Sequence, residues 1–84
     1  MYAIAWSKRA LKSLSRITHK DARKIYLAVQ TLRKWPACRD IMKLTNHDYF
    51  YRLRVSRYRI FFEVNKMIRT IVIEDVKKRD ERTY

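Results

Sequence analysis

Residues 49–64 form the segment that most restricts the possible folds. They read Tyr-Phe-Tyr-Arg-Leu-Arg-Val, then Ser-Arg, then Tyr-Arg-Ile-Phe-Phe-Glu-Val from residue 58. Both runs are rich in aromatic and β-branched residues and alternate with a two-residue period, so each reads as a strand. The intervening Ser56-Arg57 has the length of a two-residue hairpin loop. Taken literally, that turn sets Val55 opposite Tyr58, Arg54 opposite Arg59, Leu53 opposite Ile60 and Arg52 opposite Phe61. Side chains alternate between the faces of a strand. One face then carries Tyr51, Leu53, Val55, Tyr58, Ile60, Phe62 and Val64 and must be covered. The other carries Phe50, Arg52, Arg54, Arg59, Phe61 and Glu63.

The rest of the chain supplies the cover. Tyr2–Trp6 reads as a short strand. Ser7 is placed to cap a helix from Lys8 to about Ser15, with an apolar stripe of Ala10, Leu11 and Leu14. Thr18 opens a second helix with Asp21 at the capping-box position. Ala22, Ile25, Val29 and Leu32 share a face, and Trp35-Pro36 ends the helix because the residue before proline avoids the α region. Residues 68–76 form a further strand after a turn at Asn65-Lys66-Met67. The expected fold is α+β: an N-terminal short strand and an αα-hairpin packed on one face of a mostly antiparallel sheet of about four strands. Residues 1–84 make one domain. With no glycine in the chain, turns must draw on Asn, Asp, Ser and Arg.

Charge narrows the function. Twenty-one Lys and Arg face eight Asp and Glu, a net of +13. The first 42 residues hold ten basic and two acidic side chains, and the last 42 hold eleven and six. The excess therefore covers the whole domain and points to a polyanionic partner. Like charges directly across a strand pair destabilise it, so Arg54 opposite Arg59 calls for an external anion such as an RNA phosphate. Phe50 and Phe61, interleaved with these arginines, are placed to stack on bases. The lone Cys38 excludes an intrachain disulfide, and no paired Cys/His spacing suggests zinc. A reducing, cytoplasmic setting is expected, with no membrane span, metal or small-molecule cofactor.

The order of elements, together with Tyr51-Arg52-Leu53-Arg54-Val55, Tyr58-Arg59-Ile60, Arg79 and Tyr84, resembles the RelE/ParE toxins of toxin–antitoxin systems, with the RelE branch favoured. RelE toxins are endoribonucleases that cut mRNA in the ribosomal A site. The resemblance implies catalytic roles for Arg54, Arg59, Arg79 and Tyr84, and RNA contacts from Arg52, Phe61, Lys77, Lys78 and Arg82. It also implies a RelB-like antitoxin with an acidic or amphipathic segment. Positions 52 and 54 are lysines in the best-known RelE branch, and the hairpin glycine of that family is Ser56 here. Arginine stays protonated, so neither position supplies a general base. His47 and Glu63 are the other candidates for proton transfer, and His19 reads as a solvated helix-start residue. A ParE-like gyrase inhibitor and a non-catalytic nucleic-acid-binding module are the alternative readings.

Overall fold

The computed structural model describes residues 1–79. Five strands and two helices are arranged as β1 (Ala3–Trp6), α1 (Lys8–Ser15), α2 (His19–Gln30), a 3-10 turn (Thr31–Lys34), β2 (Ile41–Lys43), β3 (Tyr51–Val55), β4 (Tyr58–Asn65) and β5 (Thr70–Lys78). The sheet order is β1-β5-β4-β3-β2. Only β1 and β5 run parallel, and the other pairs are antiparallel. The fold is the expected α+β arrangement with one more strand. β2 escapes periodicity analysis because it is three residues long and only half-buried Ile41 of the three packs against the core.

The hairpin register is the expected one, from Val55–Tyr58 through Tyr51–Phe62. Ser56 has φ 56°, and it alone of the two loop residues lies in the left-handed region. That is the backbone pattern of a II′ turn, where glycine is the usual choice. Among the described residues Asp40, Asn46 and Arg69 are the other left-handed ones, so the four residue types expected to replace glycine each do so once there.

Local chemistry explains both helices. The Ser7 hydroxyl accepts from the Ala10 N–H at 3.0 Å and donates to the Glu74 carbonyl at 2.8 Å. It therefore caps α1 and ties it to β5. Thr18 accepts from the Asp21 N–H at 3.2 Å and caps α2. Each such cap contributes about 1 kcal/mol. Ile25, Val29 and Leu32 follow helical spacing and are fully buried. α2 stops at Gln30 rather than running on to Trp35. The Thr31 hydroxyl takes the Ala28 carbonyl at 2.5 Å, which competes with the helical ladder, and the chain tightens into a 3-10 turn.

The core lies between the helices and the inner face of the sheet. Leu53, Val55, Tyr58, Ile60, Phe62, Ile71, Ile73 and Val76 meet Ala10, Ile25, Val29 and Leu32 there. Trp35 packs edge-on against Tyr51 and Phe62, at 4.9 and 5.7 Å between ring centres. Trp6 stacks on Tyr26. Both tryptophans are packing residues.

β5 carries a bulge where Phe61 pairs with Asp75 but Phe62 pairs with Ile73. The extra residue lets buried Asp75 face α1, where its carboxylate accepts from the Ser13 hydroxyl at 3.0 Å and the Val76 N–H at 2.8 Å. The strand runs to Lys78 rather than Val76, and the preceding turn is Lys66–Arg69. Asn65 organises that turn by accepting from the Met67 and Ile68 N–H groups.

Candidate nucleic-acid interface

The arginine face is built at the hairpin end of the sheet, on the side away from the helices. Arg59 sits in the middle of a cross-strand row, with Arg54 on one side and Lys77 on the other. Beyond that row the Arg79 N–H donates to the Arg57 carbonyl at 2.6 Å. This bond carries β5 past its last ladder pair and sets Arg79 beside the turn. The result is a shallow pocket of about 90 Å³ lined by Arg52, Arg54, Ser56, Arg57, Tyr58, Arg59 and Arg79. Five guanidinium groups line it, and no carboxylate among the described residues does. Arg54 and Arg59 are exposed and Arg52 is half-buried. The Arg52 Nε is shielded from solvent with no hydrogen-bond partner among the described residues.

The pocket thus gathers Arg52, Arg54, Arg59 and Arg79 as expected, with Lys77 in register beside Arg59. Arg57 was missed. In the sequence it reads only as a turn residue, and the turn conformation brings it to the pocket. Two further candidates lie outside the pocket. Lys78 pairs with core-facing Tyr58, which puts it on the helical side because alternation takes it off the face of Lys77. Phe61 does share the arginine face but is only 5% exposed. The loop at 44–50 folds across it, and His47 and Tyr49 stack on its ring at 5.2 and 5.3 Å. Phe61 is therefore a support and not itself a stacking surface. Phe50 is 60% exposed. Tyr84 and Arg82 lie outside the described residues.

The proton-transfer candidates separate. Glu63 is four residues beyond Arg59 on β4, about 13 Å along the strand, and pairs with Val72. Burial and the neighbouring Glu74 charge push its carboxyl up. It stands apart from the arginine pocket. His47 is exposed over Phe61, with Nδ1 accepting from the Tyr49 N–H at 3.1 Å. On the helical side the Tyr58 hydroxyl donates to Asp21 at 2.7 Å. That bond, with burial and the carboxylate charge, pushes the hydroxyl above its ordinary value despite an opposing contribution from Arg57. Burial likewise pushes the Cys38 thiol up, in keeping with an inert thiol.

Known proteins share this fold. The archaeal RelE in the RelE–RelB complex of Pyrococcus horikoshii superposes with a TM-score of 0.80 at 26% identity, over 95% of this chain and 97% of that one. RelE1 of Methanocaldococcus jannaschii is 29% identical over 76 residues, which is 87% of this chain and 84% of the relative. The chain is similar to RelE toxins in both sequence and fold. The isolated Escherichia coli RelE toxin shares the fold with a TM-score of 0.81 over 99% of the RelE-like chain and 89% of its own, at 18% identity. No family model matches the sequence.

Proposed function

We propose that this chain is the toxin of a toxin–antitoxin pair and acts as a ribosome-dependent mRNA endoribonuclease. One observation carries the reading: five arginines line one pocket, with no carboxylate lining it among the described residues. Such a pocket holds a phosphodiester and stabilises the extra negative charge that develops at phosphorus in the transition state. An anion oxygen that drew the Arg52 guanidinium outward would also satisfy its Nε. A buried donor without a partner costs about 1–3 kcal/mol.

The reaction in this reading is attack by the 2′-hydroxyl of the RNA on the adjacent phosphorus, with release of the 5′-oxygen of the next nucleotide. Arg54 and Arg59 grip the non-bridging oxygens from opposite strands. Arg79 and Arg57 close the pocket at the hairpin end, and Arg52 supports it from below. Tyr84 is assigned a contact to the base or nucleophile, and Arg82 and Lys77 further backbone contacts. Arginines do not take up the hydroxyl proton at neutral pH, so catalysis rests on charge stabilisation and positioning. The ribosome supplies the substrate geometry, and naked RNA is cut slowly.

The partner that silences the chain is an antitoxin with an acidic or amphipathic segment. It is a suitable complement to a +13 surface, and the relatives solved as RelE–RelB complexes support it. The test is a translation extract programmed with mRNA, with cuts mapped by primer extension and a DNA gyrase supercoiling assay in parallel. Discrete cuts that disappear with Arg59→Ala support the proposal. Uncut mRNA with blocked supercoiling would overturn it in favour of a gyrase inhibitor.

A further inference from the structure

The loop that covers Phe61 does more than bury it. Leu44 N–H donates to the Phe50 carbonyl at 2.8 Å and closes the loop, while Asn46, at φ 51°, turns the chain inside it. The Tyr49 N–H donates to His47 Nδ1 at 3.1 Å. From the first turn of α1, Arg9 Nη1 donates to the Tyr49 hydroxyl at 3.1 Å. Two rings are thereby fixed on a third. His47 and Phe61 are inclined by only 21°, Tyr49 and Phe61 by 29°, and His47 and Tyr49 lie 5.9 Å apart. A buried aromatic could be covered by any aliphatic side chain. Here its cover is an imidazole that is itself exposed.

The position of this stack gives it a role. Phe61 is the cross-strand partner of Arg52, and the next pair on the same face is Arg54–Arg59. The spacing between the two pairs is two residues, about 7 Å. A strand of RNA with one phosphate in the arginine pocket and running along this face toward Phe61 would pass the His47 ring at a neighbouring nucleotide. The Tyr49 N–H occupies Nδ1, which leaves Nε2 as the ring nitrogen available to a ligand.

We propose that His47, held on Phe61 and braced by Tyr49 and Arg9, is a stacking platform for the nucleobase next to the phosphate bound by Arg54 and Arg59. The inference rests on the RNA-cleaving reading above and adds a base subsite to it. Stacking suits the geometry because every base has a π-face, and because the rings are already ordered before RNA arrives. Loss of one such contact weakens binding about 5- to 150-fold.

The experiment is saturation kinetics of the full chain on ribosomes programmed with mRNA, comparing wild type, His47→Ala and His47→Phe. Each is run with normal RNA and with an abasic nucleotide on either side of the cut. A platform predicts that His47→Ala raises KM about tenfold with kcat little changed, and that His47→Phe stays close to wild type. It also predicts that wild type loses as much when one particular neighbouring base is absent, with no further loss for His47→Ala on that RNA. Equal damage from His47→Phe and His47→Ala, falling on kcat with an altered pH profile, would overturn the platform and make His47 a proton-transfer group. Independent, multiplying losses from the variant and the abasic site would overturn it too, as would no effect of either variant. Silence of the wild type overturns the endoribonuclease reading itself, and the platform with it.

Discussion

Arg59→Ala should stabilise the free protein at low salt, even though it removes a large side chain from a central strand. Arg59 faces Arg54 across one strand pair and Lys77 across the other. At about 6 Å and an effective dielectric of about 40–80, each like-charge neighbour contributes about 0.7–1.4 kcal/mol of repulsion, or about 1–3 kcal/mol for the two. Truncation also loses the packing of the aliphatic stem and some strand preference, which takes back up to about 1 kcal/mol. The net gain is on the order of 1 kcal/mol in dilute buffer, which raises Tm by about 4–8 °C for a domain of this size. Salt removes the gain, because the Debye length falls to about 8 Å at physiological ionic strength and about 3 Å at 1 M. The assay is thermal unfolding of wild type and variant by circular dichroism across a sodium chloride series. The variant should be the more stable at low salt, and the difference should shrink to zero or change sign at high salt. A variant less stable than wild type by 1 kcal/mol or more at low salt, with no salt dependence of the difference, would refute the claim that this row is held against repulsion.

Three further outcomes follow from the packing. Tyr58→Phe removes the bond to Asp21 and should lower stability by about 1–2 kcal/mol, measured as a urea midpoint at neutral pH. Because the folded hydroxyl titrates above its ordinary value, that stabilisation is full below the unfolded value near pH 10 and fades as pH rises through the folded one; the variant should show a flatter stability profile at alkaline pH. Glu63 is shifted in the same direction in a lower pH window: a carboxyl held up in the folded state penalises folding once pH passes the unfolded value. Glu63→Gln should therefore raise the urea midpoint at pH 7 and leave it unchanged near pH 3.5, below both values. Ser56→Gly relieves a left-handed residue. It should stabilise by about 0.5–1 kcal/mol, the αL penalty less glycine's own entropy cost, read from the same denaturant curves.

The hairpin was the most legible part of the molecule because its alternation and its two-residue turn determine register together. A slip of one residue would have turned one strand over and put its apolar set, Leu53 and Val55 or Ile60 and Phe62, in solvent. Both helix starts were legible from Ser7 and Thr18, whose side chains carry the capping chemistry themselves. What escaped the sequence depends on distant partners. β2 exists only because Ile41, Met42 and Lys43 find Leu53, Arg52 and Tyr51. The bulge in β5 appears only when Asp75 has Ser13 to face. In the candidate site, the faces of Arg52, Arg54 and Arg59 followed from alternation. Arg57 did not, because a turn residue has no fixed face. Alternation places Phe61 on the arginine side of the sheet, where His47 and Tyr49 cover its ring. Alternation assigns a face but does not say what loop will cross it, and His47 and Tyr49 carry no periodic signal of their own.

The reading of the arginine pocket as a ribonuclease centre stands on one comparison: the single-turnover rate of cleavage of one mRNA, bound in the ribosomal A site or free in solution, by wild type and by Arg59→Ala. The expected result is fast, position-specific cutting on the ribosome by wild type and a rate on free RNA lower by at least about a hundredfold, as positioning effects of this kind allow. Arg59→Ala should cut the ribosome-bound rate by a further factor of about a hundred to a thousand, as for loss of a charge-stabilising donor, with the fold retained. Equal rates on free and ribosome-bound RNA, or full activity in Arg59→Ala, would contradict it.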